Sequence, residues 1–107
     1  MSDSVVLAAR ERLIANYHQR QLFPRFEVIA EDLNISSRTL RRKLKDKGFR
    51  YQEIKDAVRC DMAIELLASS KNPVEVSDAL GFRDVSGFCR AFKRWTGLTP
   101  KQYFNNN

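Results

Sequence analysis

The sequence predicts an all-α fold: two helix-turn-helix lobes joined by one long central helix, about seven helices in all. Three observations carry that expectation. Apolar residues recur at helical spacing along the whole chain, no stretch alternates in the manner of a strand, and one helix-turn-helix pattern occurs twice, 47 residues apart.

Taken in order, Val5, Val6, Ala9, Leu13 and Ile14 share one face of a first helix over residues 4–19, with its cap at Ser2, Asp3 or Ser4. The stretch Gln21-Leu22-Phe23-Pro24-Arg25 breaks it. A short helix over about 26–33 aligns Ile29, Ala30 and Leu33, and ends at Asn34, which tolerates left-handed backbone. Ser36 or Ser37 caps a third helix over 37–46, ended by Gly48. The long helix, Tyr51 to Ser69, offers Ile54, Val58, Ala63, Leu66 and Leu67 to the core, and Ser69-Ser70-Lys71-Asn72-Pro73 closes it. A short helix over 74–80, a Gly81-Phe82 turn and a helix from Val85 to Thr96 stopped by Gly97 follow. Pro100 then opens a final short helix that runs into the Asn105-Asn106-Asn107 tail. The expected organisation is a first lobe over 4–48, a linking helix over 51–69 and a second lobe over 73–105.

Composition narrows the function. Hydrophobic residues make up 43% of the 107, enough for a core in a chain of this size. Nineteen Lys+Arg against thirteen Asp+Glu leave a net charge of +6, which points to a polyanionic partner. No apolar run reaches the roughly 20 residues that span a bilayer, and the start lacks the basic-then-apolar order of a secretory signal. Cys60 and Cys89 lie 29 residues apart inside helical patterns, so they read as reduced thiols, with no metal site or cofactor expected. Carboxylates are scattered, Cys89 has no evident partner and His18 is the single histidine, so an enzyme is not expected.

The repeat carries most of the meaning. Ala30-x-x-Leu33-Asn34-Ile35 corresponds to Ser77-x-x-Leu80-Gly81-Phe82. After one extra residue in the second turn, Leu40-x-Arg42-x-Leu44-Lys45 corresponds to Phe88-x-Arg90-x-Phe92-Lys93. At about 100° per residue, Arg38, Arg41, Arg42 and Lys45 fall in one arc opposite Leu40 and Leu44. In the second copy Phe88, Phe92 and Trp95 form the inward stripe, and Arg83, Ser86, Arg90, Lys93 and Arg94 lie on the far side. A cationic face behind an apolar one suits the DNA major groove, where Arg pairs with guanine and Lys meets phosphate. One such face is commonly just a solvated surface; two at matched positions behind matched turns are not. The competing reading is a helical protein–protein module without specific DNA readout, which would need an exposed apolar groove.

Spacing adds a mechanical expectation. A linking helix of about 19 residues is roughly 28 Å long at 1.5 Å per residue. Lobes at its ends would bring two recognition helices near the ~34 Å of one DNA turn, so that one monomer touches successive major grooves.

Arg59-x-x-x-Ala63-x-x-Leu66-Leu67, the run Gly81-Phe82-Arg83-Asp84-Val85-Ser86-Gly87-Phe88-Cys89-Arg90-Ala91-Phe92-Lys93-Arg94-Trp95, and Gly97-Leu98-Thr99-Pro100-Lys101-Gln102-Tyr103 resemble the DNA-binding domain of AraC/XylS transcription regulators. The resemblance extends over about residues 5–104 and is most specific from Leu80 to Tyr103. It implies a two-lobed, seven-helix domain on double-stranded promoter DNA, monomeric by itself, in the bacterial cytoplasm at the nucleoid, with RNA polymerase as a further partner. By position it implies base-facing roles for Arg38, Arg41 and Arg42, and for Val85, Ser86, Cys89 and Arg90, with Lys93 toward the backbone. Two departures stand out: Asn34 occupies a turn position where the family often has Gly, and Val85 one that is often polar. The loosely patterned start and the asparagine-rich end read as the edges of a fragment of a longer regulator, with a stand-alone two-lobe regulator as the alternative.

Overall fold

A computed structural model describes residues 4–69 and 71–105 of the chain. Seven helices and no strand occur among the described residues: α1 (Ser4–Arg20), α2 (Phe26–Asp32), α3 (Ser37–Asp46), α4 (Tyr51–Ala68), α5 (Pro73–Ala79), α6 (Val85–Thr96) and α7 (Pro100–Asn105). The expected cap residues Ser2 and Asp3, and also Ser70, Asn106 and Asn107, lie outside the described residues. The chain divides within α4, after Val58, into two compact units.

In unit 1 the buried core is Ala9, Leu13 and Tyr17 from α1, Ile29 and Ala30 from α2, Leu40 and Leu44 from α3, and Ile54 and Val58 from α4. The expected Val5, Val6, Ile14 and Leu33 are half-buried instead, at the edges of this core. Burying each large aliphatic side chain contributes about 1.5–3 kcal/mol. Helix α1 ends because Gln21 takes left-handed backbone, φ 60°, while its amide still donates to the Tyr17 carbonyl at 2.7 Å. The segment after it is tied down by the Tyr17 ring stacked on Phe23, 4.6 Å between centroids, and by the Tyr51 hydroxyl donating to the Pro24 carbonyl at 2.8 Å. A polar clamp joins α1 to α2: buried Asn16 donates to the Arg12 carbonyl (2.8 Å) and to Asp32 Oδ2 (3.0 Å), and the Arg12 guanidinium reaches the same carboxylate at 3.2 Å. The Asn16 hydrogen bond, then Arg12 beside it, hold the Asp32 carboxyl below its ordinary pKa despite some desolvation.

Unit 2 is built on aromatic rings. Phe88 and Phe92 are fully buried 5.8 Å apart, Phe82 lies 5.5 Å from Phe88, and Tyr103 of α7 meets Phe92 edge to face at 5.4 Å. Val76, Ser77, Leu80, Ala91, Pro100 and Ala63 of α4 complete the core, while Leu66 and Leu67 are half-buried. Trp95, expected on the inward stripe, is half-buried at its edge, where the Arg59 guanidinium lies over both Phe82 (4.5 Å) and Trp95 (5.4 Å). Helix α5 starts one residue earlier than its apolar pattern suggested. Pro73 needs no partner at the first helical position, and Asn72 with Glu75 forms a reciprocal capping box, 2.9 and 3.0 Å. Thr99 and Gln102 do the same for α7, at 3.1 and 3.0 Å.

Candidate nucleic-acid interface

Helix α3 in unit 1 and α6 in unit 2 each set an exposed basic face opposite a buried apolar stripe, and both are positioned by the same local devices. The helix before each ends in the same hydrogen-bond pattern. The Ile35 amide donates to Ala30 (3.1 Å) and Asn34 to Glu31 (3.0 Å); Phe82 donates to Ser77 (3.0 Å) and Gly81 to Asp78 (3.2 Å). This closure requires a left-handed residue, and Asn34 (φ 60°) supplies it in the first copy as Gly81 (φ 81°) does in the second. The departure at Asn34 therefore leaves the turn geometry intact.

The exposed helices then begin with matched caps. Ser36 accepts from the Thr39 amide at 3.0 Å, and Asp84 from the Gly87 amide at 2.7 Å. Of the two serines offered for the first cap, the structure uses Ser36. Leu40 and Leu44 anchor α3 to its core, and Phe88 and Phe92 anchor α6. The anchors orient the opposite faces outward.

On α3, Arg38, Arg42 and Lys45 are exposed on the side away from the leucines. Arg41 is also exposed but sits on the flank, its guanidinium 5.0 Å from the centre of the Phe26 ring. On α6, Ser86, Arg90 and Lys93 are exposed opposite the phenylalanines, with Arg94 exposed beside them. Val85 and Cys89 are half-buried at the edges of that face. No ion pair among the described residues draws on Arg38, Arg42, Lys45, Arg90, Lys93 or Arg94. Six cations thus keep their hydrogen-bonding capacity for an external anion.

The sequence position of Gly87 does not by itself mark it as part of this face. A Cβ there would stand 3.3 Å from the capping Asp84 Oδ1 and 3.9 Å from an Arg90 guanidinium nitrogen. Arg90 therefore leans back toward the start of α6, as long side chains on helices do. The signal lay in a glycine inside a helix, which costs about 1 kcal/mol relative to alanine and calls for a local reason.

Both cysteines are free, and burial followed by Asp61 nearby pushes the Cys60 thiol above its ordinary pKa. No cluster of His, Cys, Asp or Glu able to hold a metal occurs among the described residues, and none of their helices is long and apolar enough to cross a membrane.

Residues 29–106 match the family model of a helix-turn-helix domain. The chain is 43% identical over 82 residues to the ornithine utilization regulator of Pseudomonas aeruginosa, covering 76% of this chain and 24% of that protein. Among solved structures, it resembles the transcriptional regulator CdpR of Pseudomonas aeruginosa with a TM-score of 0.76 at 38% identity, covering 89% of this chain and 31% of that one. The C-terminal domain of AraT, a response regulator from Geobacillus stearothermophilus, gives a TM-score of 0.79 at 26% identity, with 96% and 85% covered. The chain spans about a quarter of the length of the curated relatives it matches. It belongs to the helix-turn-helix domain family, as a member of the AraC/XylS type of transcription regulators.

Proposed function

We propose that this chain binds double-stranded promoter DNA in a sequence-specific way and regulates bacterial transcription. Recognition helix α3 contributes Arg38, Arg42 and Lys45, with Arg41 at its flank; α6 contributes Ser86, Arg90 and Lys93, with Arg94, Val85 and Cys89 at its edges. Arg42 and Arg90 hold equivalent places in the repeat and are the base-reading pair, since an arginine fork matches the guanine O6 and N7 acceptors. The lysines answer phosphates, which position the protein without carrying sequence. Val85 and Cys89 offer apolar contact to thymine methyl groups. The chain works as one DNA-binding domain: a lobe over 4–48 and a lobe over 73–105 on a linking helix over 51–69, each lobe reading one of two successive major grooves. It does so as a monomer in the cytoplasm, on nucleoid DNA, and contacts RNA polymerase there. No catalytic step belongs to this reading.

The observation that carries it is the pair of capped, exposed helices whose six outward cations have no ion-pair partner among the described residues. Titrating the protein with duplex DNA across a range of salt tests it. Each phosphate neutralised adds about −0.9 to the slope of log affinity against log salt. Contact by both helices predicts a slope several times that value. Binding whose strength ignores salt would overturn the assignment.

A further inference from the structure

Unit 1 carries an open groove of ≈ 570 Å³ beside the C-terminal half of α3. Its floor is apolar: Phe26 and Tyr51 meet edge to face at 5.2 Å, and Leu44 closes the base. Phe49 also lines it, with 43% of its surface open to water. Phe49 is held there by the turn at the end of α3: Gly48 is left-handed (φ 82°) and the Phe49 amide donates to the Leu44 carbonyl at 2.9 Å.

The rim is of one sign. Arg41, Lys45 and Arg50 line it, and no Asp or Glu does. Two carboxylates lie near without lining it: Glu27, which after burial helps raise the pKa of the Tyr51 hydroxyl, and Glu53, which is already engaged, accepting from the Arg50 amide at 2.8 Å. Arg50 immediately precedes α4, so the positive end of that helix adds to the field of the rim.

These two properties select among ligands. A bare phosphate chain would satisfy the cations and leave Phe49 in water. A purely apolar segment would cover Phe49 and desolvate the three cations without pairing them, which is unfavourable. A segment with carboxylates on both sides of an aromatic or leucine anchor does both jobs at once.

We infer that this groove docks an acidic segment with an apolar anchor, supplied by a regulatory protein partner, and that docking displaces DNA from α3. The competition rests on the DNA reading above, because Arg41 and Lys45 belong to both surfaces. The groove is thus a site at which another protein silences the first lobe.

The test uses the intact chain and a short fluorescent peptide carrying glutamates on both sides of a Phe-Leu pair. Two control peptides replace the glutamates by glutamine, or the Phe-Leu pair by glycine. Both controls should bind at least about tenfold more weakly than the parent, the range expected when an anchor is lost. Phe49→Ser should weaken the parent peptide by about tenfold and leave duplex DNA affinity within about twofold. Arg50→Ser is the second variant, should Phe49→Ser lose its helical circular dichroism. The parent peptide should also displace duplex DNA from the unmodified chain. Equal binding of the glycine peptide would reduce the effect to charge attraction and overturn the docking site. So would a Phe49→Ser variant that loses DNA affinity as much as peptide affinity, since the groove would then be part of the DNA surface. Peptide binding in the expected pattern with no duplex binding at all would support the docking site and sink the reading of α3.

Discussion

Units 1 and 2 share a backbone plan but not a material. The turns before α3 and α6 close with the same pair of hydrogen bonds, and both helices start on a side-chain cap at the same register. Yet the anchors are Leu40 and Leu44 in one and Phe88 and Phe92 in the other. The outward faces differ as well: α3 presents long cations almost alone, while α6 mixes Arg90 and Lys93 with Ser86, Gly87 and half-buried Val85 and Cys89. Where each exposed face points is thus decided by its cap, its turn and two apolar anchors. The residues of that face are ones that fold stability hardly constrains. On the proposed DNA reading, the smaller side chains of α6 would allow closer approach to base edges, and the cations of α3 would give stronger attraction to the backbone.

Core substitutions should separate the two units most strongly. Phe92→Ala removes a fully buried ring from the aromatic cluster and should cost about 3–5 kcal/mol, against about 2–5 for Leu44→Ala in unit 1. Amide exchange should then quicken through α5, α6 and α7 in Phe92→Ala, and through α1, α2 and α3 in Leu44→Ala. Uniform loss of protection in either variant would mean that the units unfold as one.

Next in size is the loss of a base contact. Arg42→Ala and Arg90→Ala should each weaken specific DNA binding by about 1–3 kcal/mol, while stability moves by less than about 0.5 kcal/mol. Equal losses in a gel-shift titration would sharpen the equivalence of the two helices. A change confined to one arginine would assign readout to that lobe alone, and a large drop in melting temperature would make the arginine structural.

The caps should matter less, by about 0.5–2 kcal/mol each. Asp84→Ala is expected to exceed Ser36→Ala in urea unfolding, because a carboxylate also interacts with the positive end of its helix. The reverse order would show that Thr39, whose hydroxyl accepts from Ser36 at 2.9 Å, makes the first cap the stronger one.

The smallest effect is a pH dependence confined to unit 1. The folded pKa of Asp32 is depressed, so its clamp contributes stability above the ordinary carboxylate range. That contribution is lost as pH falls through the depressed value. Asp32→Asn should flatten this part of the acid limb in a thermal-melt series, and an unchanged limb would show that the exposed clamp contributes nothing measurable.

Much of this was legible in the chain. The spans of α3 and α6, residues 37–46 and 85–96, follow from Gly48, Gly97 and the apolar spacing, and they agree with the observed helices. Helix ends without such punctuation are less legible: α2 stops at Asp32 because Leu33 caps it ahead of left-handed Asn34, and α5 starts at Pro73 because Asn72 and Glu75 reach each other. Both depend on side-chain geometry over a few residues that apolar periodicity does not register.

The sequence by itself determined the helical class, the repeat and the charged faces, because these depend on local periodicity and on residues three or four apart. Only the tertiary structure decided which side chains meet across elements. Arg12 and Asn16 find Asp32, Tyr51 finds Pro24, and Arg59 lies over Phe82 and Trp95. Arg41, at the edge of its arc, meets the Phe26 ring for the same reason. Partners 15 to 36 positions apart are brought together by packing, and nothing in the spacing of either residue announces the other.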